Sequence, residues 1–220
     1  MNRKLVLLDL DGTLVDSAPA ILSTLRAACV SCGVTPVLPL DATLIGPPLR
    51  TMLERLSGEK GGPIVARLEQ AFSDTYDRTG YRDTMPYPAL QDALRRLRAA
   101  GCSLALVTNK RRVPTLKILD LFDIAHDFDA VYTVDSFPPD RLSKSQLVAR
   151  ALADLPGAAP ATTVMIGDTP EDQRAAVANS IAFIAVTYGY GFSSSDSVGR
   201  DTPAVAALAE LSAAVARMFQ

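Results

Sequence analysis

The sequence predicts an α/β fold in which helices flank an open, mostly parallel sheet. Five short apolar segments, each of a length typical of a buried strand, recur along the chain. After residue 84 they alternate with segments whose apolar residues repeat at helical spacing, which is the pattern of a parallel sheet with crossover helices. The long stretch between the first and second apolar segments shows helical patterns instead, and this predicts a helical insertion.

The first predicted strand, residues 5–8, is continuously apolar, as expected for a central strand buried on both faces. It ends at Asp9, and Asp11 follows two residues later, so in an extended segment both carboxylates project to the same side. Like charges in one site repel each other unless a cation lies between them or one group holds a proton. The stretch therefore predicts a divalent-cation site, where Gly12 allows a sharp turn and Thr13 offers a hydroxyl and an amide.

Residues 17–83 are predicted to form a small, all-helical cap inserted after the first strand. Apolar residues at helical spacing predict three helices, at residues 18–32, 43–56 and 64–76. Gly33 directly follows the first of them and is a suitable C-terminal stop. The core domain is predicted to comprise residues 1–16 and 84–220.

The core is predicted to alternate between helix and strand after residue 84. The predicted helices cover residues 89–100, 113–121, 147–155 and 171–179, and the predicted strands cover residues 103–107, 130–134, 162–166 and 182–186. Thr202 as N-cap and Pro203 as first helical residue predict a final Ala-rich helix. In open parallel sheets, ligands bind beyond the carboxyl ends of the strands, so functional side chains are expected where each strand stops.

Two later strand ends carry polar residues of the expected kind. Thr108 and Asn109 offer a hydroxyl, a side-chain amide and backbone N–H groups for phosphate oxygens. Asp168 follows the fourth predicted strand, and the residues after it supply the next helix cap, so its carboxylate is better explained as a metal ligand. Mg²⁺ prefers oxygen ligands and keeps several waters, so Asp9, Asp168 and the backbone carbonyl of Asp11 would suffice.

Residues 9–17 read Asp-Leu-Asp-Gly-Thr, an apolar pair, then Asp-Ser, and this segment resembles the first motif of the haloacid dehalogenase superfamily in its phosphatase branch. Thr108, Lys144 and residues 167–172 resemble the second, third and fourth motifs in superfamily order. The resemblance implies a Rossmann-like core with an inserted helical cap. Residues 188–191, together with residues 45–50 of the cap, resemble the phosphoglycolate phosphatase and nucleotidase-like branch.

The resemblance also implies roles for individual residues. Asp9 is expected to be the nucleophile that becomes an aspartyl phosphate, and Asp11 the general acid and base. Phosphoryl oxygens are expected to contact Thr108, Asn109 and Lys144. The implied Mg²⁺ ligands are Asp9, Asp11 and Asp168, with Thr13 and Asp172 in support. Ser145 stands where many relatives carry proline after the motif lysine, which leaves Lys110 as an alternative to Lys144.

The expected substrate is a small phosphorylated molecule such as phosphoglycolate, a nucleotide or a sugar phosphate. Arg50 follows the turn-forming Pro47-Pro48 and is a candidate contact for a second anionic group on that substrate. Two alternatives stay open. A phosphomutase of the β-phosphoglucomutase type would use the same intermediate, and a non-catalytic sensor of phosphorylated ligands could share the fold.

Composition argues against several other functions. The formal net charge of −2 and the lack of a basic run give no support to nucleic-acid binding. Apolar segments stay well below the roughly 18 residues needed to span a bilayer, so a cytoplasmic protein without a membrane partner is expected. Cys29 and Cys32 form a lone Cys-x-x-Cys within a predicted helix and are interpreted as small buried hydrophobes. His126 has no recognisable partner and is assigned no catalytic role.

Overall fold

The computed structural model describes residues 4–192, 198–199 and 201–219. Its strands are β1 (Leu5–Leu8), β2 (Val15–Asp16), β3 (Met85–Pro86), β4 (Ser103–Thr108), β5 (Ala130–Thr133), β6 (Thr163–Gly167), β7 (Ala182–Val186) and β8 (Ala204–Val205). Its α-helices are α1 (Ala18–Cys32), α2 (Leu49–Ser57), α3 (Gly62–Tyr76), α4 (Leu90–Ala99), α5 (Arg112–Leu121), α6 (Lys144–Asp154), α7 (Pro170–Ala178) and α8 (Leu211–Met218).

The main sheet is parallel and has the strand order β5-β4-β1-β6-β7-β8. Strand β1 lies at its centre, where Leu5 pairs with Ser103 of β4 and with Thr163 of β6. Val6 and Leu8 belong to one buried apolar cluster, whereas Leu5 and Leu7 belong to another. Since successive side chains of a strand point to opposite faces, β1 is buried on both faces. The predicted fold class is confirmed.

The helical segment after β2 has an apolar core of its own, formed by α1, α2, α3 and the turn before α2. Gly33 ends α1 in the left-handed region, at φ 68°. The single helix predicted at residues 43–56 is wrong, because residues 42–44 form only a 3-10 turn and α2 begins at Leu49. Pro47 and Pro48 lack N–H donors, and Gly46 adopts a φ of 119°, so the helix cannot run through this point.

The prediction for the last segment is also wrong in part. Ala204–Val205 form β8, and the final helix begins at Leu211 instead of Pro203. The N–H of Ala185 donates to the Pro203 carbonyl, and the N–H of Thr187 donates to the Val205 carbonyl. Strand β7 would otherwise leave these edge groups unpaired, so a short extended segment forms here in spite of the helical pattern.

The chain leaves the sheet domain through β2 and returns through β3, and these two strands pair antiparallel. Val15 lies opposite Pro86, and Asp16 lies opposite Met85. This pairing supports the proposed cap boundaries at residues 17 and 83. No helix within the described part of the chain is both long and apolar enough to cross a bilayer.

Candidate active site

The carboxyl ends of the central strands bring together residues that are far apart in sequence. Asp9 directly follows β1, and its N–H donates to the Ile166 carbonyl of β6 at 3.0 Å. Thr108 is the last residue of β4, and Asp168 follows β6. Because the three strands are parallel and in register, all three side chains lie at one edge of the sheet.

A buried cluster of carboxylates lies at this edge. Asp9, Asp168 and Asp172 each offer an oxygen atom within 4.8 Å of the others. Lys144, the first residue of α6, reaches into the cluster with Nζ 3.0 Å from Asp9 Oδ1 and 2.5 Å from Asp172 Oδ1. Its side chain is only 2% exposed. The ammonium therefore offsets one of three buried negative charges.

Both oxygens of Asp172 are engaged by the protein. Oδ1 accepts from Lys144, whereas Oδ2 accepts from the Thr169 N–H at 3.0 Å and from the Thr169 hydroxyl at 2.6 Å. The Thr169 hydroxyl in turn accepts from the Asp172 N–H, which completes a capping box at the start of α7. Asp172 is thus placed to hold Lys144 and the α7 N-terminus.

Asp168 is held by two segments that flank it. Its Oδ1 accepts from the Thr13 hydroxyl at 3.3 Å, and its Oδ2 accepts from the Tyr190 N–H at 2.7 Å. The Tyr190 hydroxyl donates to Asp16 Oδ1 at 2.9 Å and accepts from the Ser17 N–H at 2.8 Å. Tyr190 therefore joins the acidic cluster to the start of α1, a role that sequence reasoning missed; its only signal was the Tyr-Gly-Tyr-Gly segment after β7.

Asp11 lies beside a different cation. Lys110 Nζ donates to its two carboxylate oxygens at 2.9 and 3.1 Å, and the Ser17 hydroxyl donates to Oδ1 at 2.5 Å. Burial alone would lower the pKa of Lys110, but the Asp11 carboxylate and the Tyr76 hydroxyl together more than offset this and hold the pKa above its usual value. Of the two lysines that the sequence left open, Lys144 contacts Asp9 and Lys110 contacts Asp11.

The phosphate-facing candidates Thr108 and Asn109 line the same cavity as Asp9 and Asp11. Thr108 is buried, and its hydroxyl accepts from the Lys110 N–H at 3.2 Å. Asn109 Nδ2 donates to a cap carbonyl, that of Gly46, at 3.1 Å. Asn109 Oδ1 is buried without a hydrogen-bond donor among the described residues.

Arg50 is not brought to this cavity. It lies on α2, about half exposed, with Nε 3.7 Å from Glu54 and Nη1 3.6 Å from Glu69. The described residues that line the cavity include Leu49 and Met52 of the same helix but not Arg50. The sequence could place Arg50 after a proline turn but could not assign it to a helix face.

The acidic cluster fits a hard divalent cation. Asp9 Oδ1 is a buried atom without a hydrogen bond from any described residue, since Lys144 approaches it with ion-pair geometry only. After Lys144 is counted, the three carboxylates leave two negative charges, the number that a divalent cation neutralises. Oxygen ligands of this kind suit such a cation. Within the cluster, the oxygens of Asp9 and Asp168 accept fewer hydrogen bonds from the protein than those of Asp172, so they are the more available as metal ligands.

Without a cation the cluster resists ionisation. Burial raises the pKa of Asp9 to about 8, with Lys144 opposing the rise and the neighbouring carboxylates adding to it. Burial and the charge of Asp172 raise the pKa of Asp168 to about 7, against the opposing contributions of the Tyr190 N–H and Lys144. The metal-free native state therefore holds protons that an unfolded chain has released.

This difference predicts a pH-dependent stability. The native protein binds protons at Asp9 and Asp168 up to about pH 8 and 7, whereas an ordinary aspartate carboxyl has a pKa of 3.8. The contribution of these two carboxyls to the free energy of unfolding is greatest below the pKa that they have in the unfolded chain. It is lost as the pH rises through the pKa values that they have in the folded protein. In EDTA the melting temperature should fall across this window, and Mg²⁺ should remove most of the fall. Equal pH slopes in EDTA and Mg²⁺ would contradict the assignment.

Gly12 is required by the close packing of this site. It adopts a φ of 81°, and a Cβ there would collide with the Asp168 carboxylate and the Tyr190 ring. Gly12→Ala should lower the free energy of unfolding by about 2 to 5 kcal/mol, through backbone strain and steric overlap. Gly33→Ala is the matched control, since Gly33 has a φ of 68° and no atom within 4 Å of the added Cβ. Urea unfolding should show a clearly smaller loss for Gly33→Ala.

Comparison with known proteins places this arrangement among hydrolases. The family described as haloacid dehalogenase-like hydrolase matches residues 6–186 of the chain. A phosphoglycolate phosphatase from Psychrobacter arcticus is 33% identical over 204 residues, which cover 87% of this chain and 86% of that protein. A tyrosine-protein kinase, PtkA, from Mycobacterium tuberculosis is 33% identical over 192 residues, which cover 86% of this chain and 64% of that protein.

Solved structures agree on the fold. The crystal structure of a predicted phosphatase from Clostridium acetobutylicum superposes with a TM-score of 0.85 and covers 99% of this chain and 100% of that one. The two sequences are 26% identical. The likeness thus extends over both the sheet and the helical segment.

Proposed function

Since this chain belongs to the haloacid dehalogenase-like hydrolase family and is a phosphatase of that family, we propose that it hydrolyses a small phosphomonoester through an aspartyl phosphate, with Mg²⁺ as its cofactor. The observation that carries the proposal is the position of Asp9. It is a buried carboxylate at the end of the central strand, beside Lys144 and within a cluster of acids that fits a divalent cation.

In the first half-reaction, a carboxylate oxygen of Asp9 attacks the phosphorus of the substrate. A new P–O bond forms to Asp9 while the P–O bond to the organic group breaks. Asp11, which lines the same cavity, donates its proton to the oxygen of the departing alkoxide. The neutral alcohol then leaves.

In the second half-reaction, water attacks the phosphorus of the aspartyl phosphate. Asp11, now a carboxylate, takes a proton from that water. The bond between phosphorus and the Asp9 oxygen breaks, which releases inorganic phosphate and restores both acids. In this second half-reaction the Lys110 ammonium and the Ser17 hydroxyl stabilise Asp11 as the carboxylate that accepts the proton.

The phosphoryl oxygens carry negative charge into a site that already contains several carboxylates. We assign their stabilisation to the Lys144 ammonium, the Thr108 hydroxyl and the Asn109 N–H, since donors aimed at the transferred group account for much of phosphoryl-transfer catalysis. Asp9, Asp168 and the backbone carbonyl of Asp11 would hold Mg²⁺. Thr13 and Asp172 would orient the side chains that surround the ion. When bound, the ion neutralises negative charge on the acids and on the phosphoryl group.

The cap gives the reaction a dry site. Asn109 Nδ2 bonds to the Gly46 carbonyl, and Arg111 of the core bonds to Asp77 beyond the end of α3, so the helical segment lies against the cavity mouth. Exclusion of bulk water protects the aspartyl phosphate until the alcohol has left.

A hydrolysis screen across phosphorylated metabolites, in Mg²⁺ and in EDTA, tests the proposal. We expect phosphate release that requires Mg²⁺ and an intact Asp9. Activity equal in EDTA would overturn the proposed cofactor, and a failure to release phosphate from any substrate would favour the sensor alternative. Activation by an added sugar bisphosphate, with transfer of the phosphoryl group and not its release, would identify a mutase instead.

A further inference from the structure

The cap contributes one polar side chain to the described lining of the cavity above Asp9 and Asp11. This residue is Tyr76, the last residue of α3. The other cap side chains among the described lining residues are apolar, namely Ile21, Ile45, Pro47, Leu49, Met52 and Phe72. The organic group of a phosphomonoester would lie on the cap side, because the phosphoryl group binds on the core side beside Asp9. Tyr76 is therefore the cap side chain that can offer this group a hydrogen bond.

The hydroxyl of Tyr76 is buried and makes no hydrogen bond with any residue that the structure describes. Its neighbour is Lys110, whose Nζ lies 4.7 Å from the centre of the Tyr76 ring and whose pKa the hydroxyl helps to raise. An ammonium only donates hydrogen bonds, so it can face the hydroxyl oxygen but cannot accept the O–H proton. The O–H group is thus a buried donor without an acceptor. This is so whether Asp11 is a carboxylate or holds its proton, because the donor is the phenol.

The ring of Tyr76 is fixed by its surroundings. It stacks on Phe72, with the ring centres 5.1 Å apart and the planes inclined by 12°. Only 1% of the residue is exposed. The next residue, Asp77, is tied to the core by its bidentate pair with Arg111, at 2.8 and 2.6 Å. The hydroxyl is therefore held at the cavity before a ligand binds, and a donor that is fixed in advance loses little entropy on binding.

We infer that Tyr76 is a specificity-determining residue, whose hydroxyl donates a hydrogen bond to an oxygen atom on the organic group of the substrate. This inference rests on the proposed function, in which the phosphoryl group binds beside Asp9. A carbonyl, carboxylate or hydroxyl oxygen can accept the bond, whereas a hydrocarbon group leaves the O–H unpaired. The cavity volume of about 50 Å³ limits the organic group to a short chain. The accepting oxygen is then only a few bonds away from the ester oxygen.

Three matched ligands provide the test. Methallyl phosphate, hydroxyacetone phosphate and phosphoglycolate contain the same number of non-hydrogen atoms, and each carries a trigonal carbon after the first methylene. That carbon bears no oxygen in the first ligand, a neutral carbonyl oxygen in the second and a carboxylate in the third. Their affinities are measured in Mg²⁺ by titration calorimetry on the Asp9→Asn protein, with and without Tyr76→Phe. Binding to this protein is independent of leaving-group reactivity.

Tyr76→Phe should weaken the binding of at least one oxygen-bearing ligand by about tenfold, because a buried oxygen loses its donor. The affinity for methallyl phosphate should stay within about twofold. A loss confined to phosphoglycolate identifies a carboxylate as the acceptor, and one confined to hydroxyacetone phosphate identifies a neutral carbonyl. An equal loss for all three ligands would overturn the inference. A loss below about threefold for both oxygen-bearing ligands would overturn it too.

Two controls separate recognition from folding. Without a ligand, Tyr76→Phe should keep the melting temperature within about 2 °C, since the hydroxyl that it removes makes no hydrogen bond with a described residue. Tyr132→Phe removes a hydroxyl that lies 3.5 Å from Asp154 and outside the described lining of the cavity, and it should leave all three affinities unchanged. The same selective loss in Tyr132→Phe would overturn the role of Tyr76.

The two proposals fail in different ways. If the unsubstituted protein hydrolyses a phosphomonoester in Mg²⁺ but Tyr76→Phe weakens the three ligands equally, only the role of Tyr76 is wrong. If no phosphomonoester is hydrolysed but the selective loss is observed, the proposed hydrolysis is wrong and Tyr76 still recognises the ligand. If none of the three ligands binds, both proposals are wrong.

Discussion

Asp9→Asn should abolish hydrolysis of every phosphomonoester that the protein accepts, with kcat reduced by about 10⁴-fold or more. The amide is a far weaker nucleophile than the carboxylate, so the aspartyl phosphate cannot form. The side chain keeps nearly the same size and remains next to Lys144. Phosphate release from a good substrate, measured in excess Mg²⁺, provides the readout.

The fold should survive this substitution, so a loss of activity can be assigned to the missing nucleophile and not to unfolding. Asn carries no charge, so the loss of one buried carboxylate relieves repulsion from Asp168 and Asp172. The melting temperature in EDTA is therefore expected to rise above about pH 8, where the unsubstituted Asp9 has lost its proton. Asp154→Asn, on the surface of α6, is the matched control and should keep full activity. If kcat of Asp9→Asn were within tenfold of that of the unsubstituted enzyme, Asp9 would not be the nucleophile.

Lys144→Met should be the most destabilising single substitution at the site, lowering the free energy of unfolding by about 3 to 5 kcal/mol at neutral pH. Methionine matches the length of the lysine stem but leaves Asp9 and Asp172 buried without their ammonium. Hydrolysis should also fall steeply, because one donor to the phosphoryl oxygens is lost. Urea unfolding and phosphate release measure the two effects separately.

Two further variants identify the cause of that loss. Lys117→Met removes a lysine whose Nζ donates to the backbone carbonyl of Asp77 and lies 5.5 Å from the centre of the Tyr81 ring, and it should change stability by about 0.5 kcal/mol or less. Lys144→Met combined with Asp172→Asn removes one of the stranded charges and should recover part of the stability but none of the activity. If Lys144→Met alone left the free energy of unfolding unchanged, the buried ion pairs of Lys144 with Asp9 and Asp172 would not stabilise the fold.

The sequence was sufficient for the fold class and the family, and both are confirmed. Strands buried on two faces are continuously apolar, and the helices between them keep a clear amphipathic pattern. Because the strands of a parallel sheet all run in the same direction, recognising them in the sequence is enough to show that their carboxyl ends lie at one edge. Asp9, Thr108 and Asp168 could therefore be expected at one edge without knowledge of their side-chain contacts. Their catalytic and metal-binding roles stay predictions.

What the sequence could not provide were contacts that depend on three-dimensional packing. Tyr190 reaches Ser17 across 173 positions of the chain, and Lys110 reaches Asp11 across 99. Neither pairing has a local pattern that predicts it. Strand β8 was missed for a related reason: two residues are too few for a periodic signal, and they become a strand only because β7 offers an open edge.

The position of β1 between β4 and β6 has a consequence for synthesis of the protein on the ribosome. Its partners are translated long after it, since β6 ends at Gly167. At about 5 to 20 residues per second, the apolar first strand waits roughly ten to thirty seconds for its second neighbour. During that time the nascent chain exposes a segment prone to aggregation, and catalytic competence can arise only late in elongation. Chains arrested before residue 163 are therefore expected to be inactive and to bind chaperones that recognise extended apolar segments.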